Sequence, residues 1–479
     1  GLLIIRAVCQ GETDPAKLAS LRHGNCRKSE QEIATEMTLT HLKIRSEVKM
    51  SVADMFKDFL NNLKVDNADQ VSLRYGEITK SLNKKFRDTE SETANSLQVG
   101  SYGRYTGIKG ISDLDMLYIM PKTEWDTYKD GKQSQLLTDV KNAIKARYPK
   151  TDVRVDRLVV TVTYTNFHIE VQPVFEKADD NGNSYFHFPD TYNGGSWKKT
   201  KPRQEMEAIR DLNAQKNKNL RLLCKMARAW RNKQGVSMGG LLIDTLAYNF
   251  MKSTNYYDDK SYPYFDYLSR DFFGYLAAEP DKDHYQAPGS NQDVKVKKKF
   301  QKQAKEAYDN CIDAISADGQ ESAYKKWRKV FGRSFPKATV VQESASKALR
   351  AYRDTEQFIE DMYPVDIRNS IQIDCSVQQN QGLPTSLLDM LARRFSISNN
   401  KKLVFKIIAH DLNDHFSVKW KILNKGAEAE KRDCIRGQIE IPNYEATSRK
   451  ETANFAGIHL VECYAIQNGV VVARDQIKV

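Results

Sequence analysis

From Met50 onward the chain changes rhythm several times. Val52, Met55, Phe56, Phe59, Leu60 and Leu63 recur at three- and four-residue spacing, which predicts an amphipathic helix. Val71, Tyr75, Ile78, Leu82 and Phe86 predict a second. From Leu97 a loop rich in Gly and Ser leads into Asp113-Leu-Asp-Met-Leu-Tyr-Ile-Met, which alternates like a half-buried strand. The spacing then predicts a helix over Ser134–Arg147. Leu158–Tyr164 and Phe167–Gln172 follow as two alternating, β-branched runs separated by Thr165-Asn166, a hairpin signal. The order helix, strand, helix, strand, strand predicts an α+β lobe.

Beyond Ser196 the pattern turns helical, with apolar positions at helical spacing over Glu205–Gln234, Gly239–Lys252, Lys295–Ala317 and Ser322–Phe331. Phe335-Pro336 breaks the series. Residues 337–400 are mixed, and Ser376–Pro384 and Ser396–Asn400 read as loops or linker. From Lys401 the chain reads as all-β, with runs at Leu403–Ala409, Phe416–Leu423, Leu460–Ile466 and Val470–Ala473. Gln467-Asn-Gly469 is a type I′ hairpin signal between the last two. The expected division is an appended segment over 1–49, outside the catalytic fold, and a catalytic lobe over 50–195. A helical lobe over 196–345 completes the cleft, a connecting region runs over 346–400, and a β-sandwich over 401–479 ends the chain.

Composition narrows the class. The 479 residues are 10% aromatic and 28% charged, which excludes a mostly disordered chain. No stretch approaches the roughly 18 apolar residues that span a bilayer. The opening Gly-Leu-Leu-Ile-Ile is too short for a secretory signal. The 7 cysteines are spread without a C-x-x-C, so they read as reduced thiols of a cytoplasmic protein. Net charge is +12, and between Ser196 and Lys233 twelve Lys/Arg face three Asp/Glu. That local surplus would suit phosphates, whether of nucleotides, nucleic acid or an anionic membrane; a solvated helix face accounts for it equally well.

The candidate chemistry lies in Val99-Gly100-Ser101 and, after eleven intervening residues, Asp113-Leu114-Asp115-Met116. Strand alternation puts Asp113 and Asp115 on one face, where two like charges are costly unless a cation neutralises them. Hard oxygen ligands of this kind suit Mg²⁺ or Mn²⁺, which take their remaining ligands from water and substrate phosphates. A third carboxylate is expected on a neighbouring strand, and Glu170 in Phe167-His-Ile-Glu-Val-Gln is placed for it. Gly100 lets the backbone approach a phosphate, and Ser101 can donate its hydroxyl. His168 stands beside Glu170, either touching that site or serving structurally.

Gly100-Ser-Tyr-Gly-Arg-Tyr-Thr-Gly-Ile108 followed by Ser112-Asp-Leu-Asp115 resembles the signature of the polymerase-beta-like nucleotidyltransferases, and within them the cGAS/DncV-like enzymes and oligoadenylate synthetases. Glu170-Val-Gln-Pro-Val-Phe175 resembles the strand bearing that group's third metal ligand, with Glu where Asp is more usual. The resemblance implies a two-lobed fold with Asp113, Asp115 and Glu170 as catalytic metal ligands. It implies nucleotide contacts from Gly100, Ser101, Arg104 and Thr106, and from Lys225 on a helix facing the β- and γ-phosphates. Gly240 stands where the family has a serine, and Ser237 is its substitute. Residues 401–479 resemble the adenylyl/guanylyl and SMODS C-terminal sensor domain, through Trp420–Gly426, Cys434–Glu440, His459–Tyr464 and Asn468–Asp475. Asn424, Arg436, Gln438, Glu462, Arg474 and Asp475 could line a ligand site there, or be ordinary surface and turn positions.

The expected function is a metal-dependent nucleotidyltransferase that joins nucleoside triphosphates into a cyclic di- or trinucleotide, with release of pyrophosphate. The cyclic product follows from the resemblance, as does its use in bacterial anti-phage signalling through a downstream effector. Expected partners are the nucleotides, that effector and a ligand of the C-terminal domain; no membrane is expected. Two other readings stand: a template-independent linear transferase acting on RNA or a small acceptor, and a non-catalytic nucleotide sensor.

Overall fold

The structure, a computed structural model, describes residues 15–20, 29–33, 51–337, 357–378 and 383–479, the last range without 394, 396, 398–399, 413–414, 425–428, 430–435 and 455–458. Most of the expected appended segment and the 345/346 boundary therefore lie outside the described residues. So do Cys9, Cys26 and Cys434, whereas Cys224, Cys311, Cys375 and Cys463 are free and buried.

Helix α1 (Val52–Asn62) begins at a capping box, in which Ser51 accepts from the Asp54 amide and Asp54 reaches back to the Ser51 backbone. Helix α2 is Ala68–Arg87. Strand β1 (Ser96–Gln98) leads into the one-turn helix α3 (Gly100–Gly103), and β2 (Asp113–Ile119) follows. After α4 (Gln133–Arg147) come β3 (Asp152–Val155), β4 (Val160–Thr163), β5 (His168–Ala178), β6 (Ser184–Asp190) and β7 (Ser196–Thr200). These strands form one mixed sheet in the order β1-β2-β5-β4-β3. Strand β5 is long enough to pair β2 in parallel with its first half and β6 with its last residues. Leu114, Met116, Ile169 and Val171 point from the sheet into a core shared with Val71, Ile78 and Leu82 of α2. Because β7 pairs with β6, the sheet extends past residue 195, the expected end of this lobe.

The helical lobe comprises α5 (Pro202–Gln215), α6 (Asn219–Gln234), α7 (Gly240–Ser253), α8 (Phe265–Ala278), α9 (Gln301–Ser316) and α10 (Glu321–Phe331). The continuous helical spacing over Glu205–Gln234 is divided at Asn217 and Lys218, which both take left-handed backbone conformations. A two-stranded hairpin, β8 (His284–Gln286) with β9 (Asp293–Lys295), precedes α9. Helix α1 packs into this lobe's core: Met55, Phe56, Phe59 and Leu60 join Trp230, Trp327 and Phe331. The Phe56 ring meets Trp327 edge-on at 5.0 Å and Phe335 at 5.3 Å. Its aromatic face found the matching aromatic surface there, although its position in sequence put it with the sheet lobe.

The C-terminal part has two four-stranded antiparallel sheets. One runs β11-β10-β12-β15, the other β14-β13-β16-β17. Their ranges are β10 (Ile371–Val377), β11 (Thr385–Ser386), β12 (Lys402–His410), β13 (Ser417–Asn424), β14 (Ile439–Glu440), β15 (Arg449–Thr452), β16 (His459–Gln467) and β17 (Val470–Lys478). The inner faces share a core of Ile373, Cys375, Phe405, Trp420, Val461 and Cys463. Strand β10 lies ahead of residue 401 because Ile371, Ile373, Cys375 and Val377 alternate into this core, against β12. Among the described residues no helix is long and apolar enough to cross a membrane.

Candidate active site

Strands β2 and β5 run parallel in a register that sets Asp113 opposite His168 and Asp115 opposite Glu170. Three carboxylates thus come to one face of two neighbouring strands. Burial, and then the adjacent Glu170 carboxylate, push Asp115 up to about 7. Gly100 lies against the same group. Its φ is +64°, and a Cβ there would sit 1.7 Å from Asp115 Oδ2, so only glycine lets the loop close over the carboxylate. The loop folds back on itself, the Thr106 and Gly107 amides both donating to the Ser101 carbonyl, at 2.9 and 3.0 Å. A cavity of about 410 Å³ opens beside it, lined by Gly100, Ser101, Asp113, Asp115 and Glu170 from the sheet lobe, and by Arg228, Arg231 and Gly240 from the helical lobe.

Asp113 is engaged on both oxygens. His168 Nε2 is 2.7 Å from Oδ1, and Arg368, from the segment before β10, forms an ion pair with Oδ2. His168 Nε2 is also 3.7 Å from Glu170 Oε1, while its buried Nδ1 has no hydrogen-bond partner among the described residues. Among the described residues no three Asp, Glu, His or Cys side chains stand as a ready ligand cage. The reason is visible at Asp113, whose carboxylate is turned onto two protein cations or donors. The donor chemistry nevertheless fits a hard divalent cation: acidic oxygens side by side, one of them pushed up by burial and then by its neighbour's charge, and a guanidinium already drawn to the cluster.

The other expected nucleotide contacts fall in different places. Arg104 lines the cavity, but its Nε donates to Asp244 Oδ2 at 2.8 Å, and the Thr106 hydroxyl donates to the same oxygen at 2.9 Å. Arg228 completes the cluster, donating to both Asp244 oxygens. Burial raises the Asp244 carboxyl, but Arg228 and Arg104 outweigh it and hold the group at about 2. These residues clamp the 100–107 loop to α6 and α7 across the lobe boundary, and Thr106 itself is fully buried. Lys225 does not line the cavity; burial, and then Arg221, Lys64 and Arg228, pull its pKa below the ordinary lysine value. Ser237 is buried too, its hydroxyl donating to the Arg368 carbonyl at 3.2 Å. Hydroxyls spent inside the protein in this way are not presented to a phosphate.

Comparison with known proteins finds two family models along the chain. Residues 50–213 match the family of Second Messenger Oligonucleotide or Dinucleotide Synthetase domains, and residues 353–479 match the Adenylyl/Guanylyl and SMODS C-terminal sensor domain. Along these two stretches the chain is similar to the second-messenger nucleotidyltransferases. A probable cyclic nucleotide synthase of Bacillus cereus VD146 is 23% identical over 269 residues, covering 50% of this chain and 81% of that one. Among solved structures, Escherichia coli MS115-1 CdnC in complex with HORMA-deltaN is 14% identical, with a TM-score of 0.45 over 59% of this chain and 97% of that one. The Vibrio cholerae di-nucleotide cyclase DncV, as a double aspartate mutant, is 14% identical, with a TM-score of 0.42 over 63% and 91%.

In this nucleotidyltransferase half of the basic residues of 196–233 are ion-paired. Lys198 bonds Asp190, Arg203 bonds Glu176, Lys216 bonds Asp258, and Arg228 and Arg231 bond Asp244 and Asp366. The polar set of the sandwich is likewise used internally. Glu462 accepts from Tyr464 and Arg474, Asp475 accepts from the Ile373 amide, Arg436 pairs with Glu451, and Asn424 bonds His459. Asp244, Arg228, Asp366 and Arg368 are what sequence reasoning missed. A carboxylate inside the apolar run Gly240-Leu-Leu-Ile-Asp-Thr-Leu-Ala was a usable signal for Asp244. Arg368 carried none.

Proposed function

We propose that this nucleotidyltransferase is a cyclic oligonucleotide synthase, which joins nucleoside triphosphates through Asp113, Asp115 and Glu170. The observation that carries the reading is the meeting of those three carboxylates on adjacent parallel strands, under the Gly100 loop, in a cavity walled by both lobes. Asp113, Asp115 and Glu170 would hold Mg²⁺ or Mn²⁺. Bound there, the cations supply positive charge to the transferring phosphoryl group and favour the ionised form of the attacking hydroxyl. The Gly100 backbone, with Ser101 beside it, orients the triphosphate over the carboxylates, and the clamp through Asp244 keeps that loop in place. A ribose hydroxyl of one nucleotide forms the new bond to the α-phosphorus of another. The bond to the β-phosphate oxygen breaks, and pyrophosphate departs with the electron pair. A second transfer within the product would close the ring. A cytoplasmic location, a cyclic di- or trinucleotide product and an effector that responds to it in anti-phage defence complete the proposal, supported by the kinship with second-messenger synthetases.

The test uses purified full chain with labelled ATP, GTP, CTP and UTP and Mg²⁺ or Mn²⁺, against an Asp113→Ala/Asp115→Ala control. A phosphatase-resistant product absent from the control is the expected result. A phosphatase-sensitive ladder would replace the reading with linear transfer, and label attached to added RNA would point to an RNA acceptor.

A further inference from the structure

The segment Pro364–Asn369, just before β10, is held from two sides while it enters the carboxylate cleft. Helix α6 grips it through Asn232, whose side chain donates to the Val365 carbonyl at 2.8 Å, and through the ion pair of Arg231 with Asp366. Ser237 and Lys297 both donate to the Arg368 carbonyl, each at 3.2 Å. On the other side, strand β17 holds the same residues. The Asp366 amide donates to Val471, the Arg368 and Asn369 amides donate to Val472, and Val471 donates back to Pro364. Ile367 is fully buried in a cluster with Tyr464 and Val471. The segment is therefore a strap pinned between α6 and the edge of the sandwich.

Val365, Asp366 and Arg368 of the strap line the carboxylate cavity, and Arg368 is the one that pairs with Asp113. Arg368 Nε donates to Asp366 at 2.8 Å, and its terminal nitrogen pairs with Asp113. We propose that Arg368 is an internal counter-ion that blocks the site, occupying Asp113 while the strap is seated and leaving it when the sandwich edge shifts. Asp113 cannot neutralise a guanidinium and ligate a divalent cation with the same oxygen. Seating of the strap and loading of the carboxylates then exclude one another. By linkage, whatever draws β17 and the strap away from α6 raises cation affinity, and cation binding loosens the strap by the same free energy. Such a contact connects the C-terminal domain to the reaction centre through six residues of chain. This inference rests on the reading that Asp113, Asp115 and Glu170 hold the cation.

The test measures Mn²⁺ binding to the nucleotide-free full chain, by electron paramagnetic resonance of free Mn²⁺, in wild type, Arg368→Ala and Arg368→Gln. The side chain carries none of the strap's backbone bonds, and two variants guard against one that folds poorly. Both should bind Mn²⁺ more tightly, by about tenfold, a typical coupling of this kind. In wild type, saturating Mn²⁺ should also speed hydrogen exchange at the Ile367 amide, which donates to Asn232 on α6, with little effect in the variants. Equal Mn²⁺ affinity in all three proteins overturns the proposal, as does unchanged exchange in wild type. Lost synthesis with unaltered Mn²⁺ affinity would overturn it in favour of Arg368 as a substrate contact. Wild-type affinity in Asp115→Ala would bring down the underlying carboxylate reading, a separate and recognisable failure.

Discussion

At Gly100 and Asp244 single atoms carry the arrangement. Gly100 combines a left-handed backbone with a 1.7 Å approach of any added Cβ to Asp115. Gly100→Ala would incur about 1–2 kcal/mol of backbone strain and also displace the carboxylate. Nucleotide incorporation should fall by about 100-fold or more, the usual result of moving a catalytic group by an ångström, while circular dichroism stays close to wild type. Asp244 is different, because its role is electrostatic and buried. Asp244→Ala would strand Arg104 and Arg228 without their anion, at a cost of about 3–5 kcal/mol in urea denaturation. The pH dependence has a definite sign. With its folded pKa at about 2, below the ordinary 3.8, the stabilisation from Asp244 is complete above about pH 4 and lost as pH falls toward 2. The gap in urea midpoint between wild type and Asp244→Asn should therefore narrow over that window.

Elements followed local pattern closely where a period is strong. The alternation in β2 sends Leu114 and Met116 into the core and the two aspartates to the opposite face, and strand geometry alone requires that. Asn468 and Gly469 take φ of 51° and 78°, the two positive values of a type I′ turn between β16 and β17. A Cβ at Gly469 would meet no atom within 4 Å, so its effect is purely conformational. Gly469→Ala should lower stability by about 1–2 kcal/mol, read as a drop in melting temperature, with synthesis at 25 °C little affected. Strands β6, β7 and β10 were less legible. Tyr185, His187 and Lys198 give β6 and β7 no clean apolar alternation, and β10 sits in a stretch whose neighbours read as linker. In each case it is the partner strand that makes the segment a strand.

Across the whole molecule, the surprise is which parts share a core. Helix α1 precedes the sheet lobe in sequence yet is buried with α10, more than 250 positions later, because its Phe56 and Phe59 fit among Trp327, Phe331 and Phe335. Phe56→Ala should cost about 3–5 kcal/mol, visible in thermal unfolding, as for a fully buried aromatic. The sheet lobe, the helical lobe and the segment just ahead of the sandwich then meet at one cavity, since residues of all three line it. Charge is distributed on the same scale. Five of the twelve arginines and lysines that make residues 196–233 look like an open basic patch are ion-paired to acids in other elements, Asp190, Glu176, Asp258, Asp244 and Asp366.

Local periodicity was enough for the α+β character of the first lobe, the run of helices after it, the final hairpin and the common face of Asp113 and Asp115. Those features depend on neighbours two to four residues away, where geometry is nearly independent of the rest of the chain. The pairing of Asp115 with Glu170 needed the parallel register of β2 and β5. The capture of Arg104 and Thr106 by Asp244 needed a contact between residues about 140 positions apart. The guanidinium of Arg368 on Asp113 needed the sandwich to dock on α6. Such contacts arise from how the lobes pack, and a buried charge reveals its partner only once packing has removed the water between them.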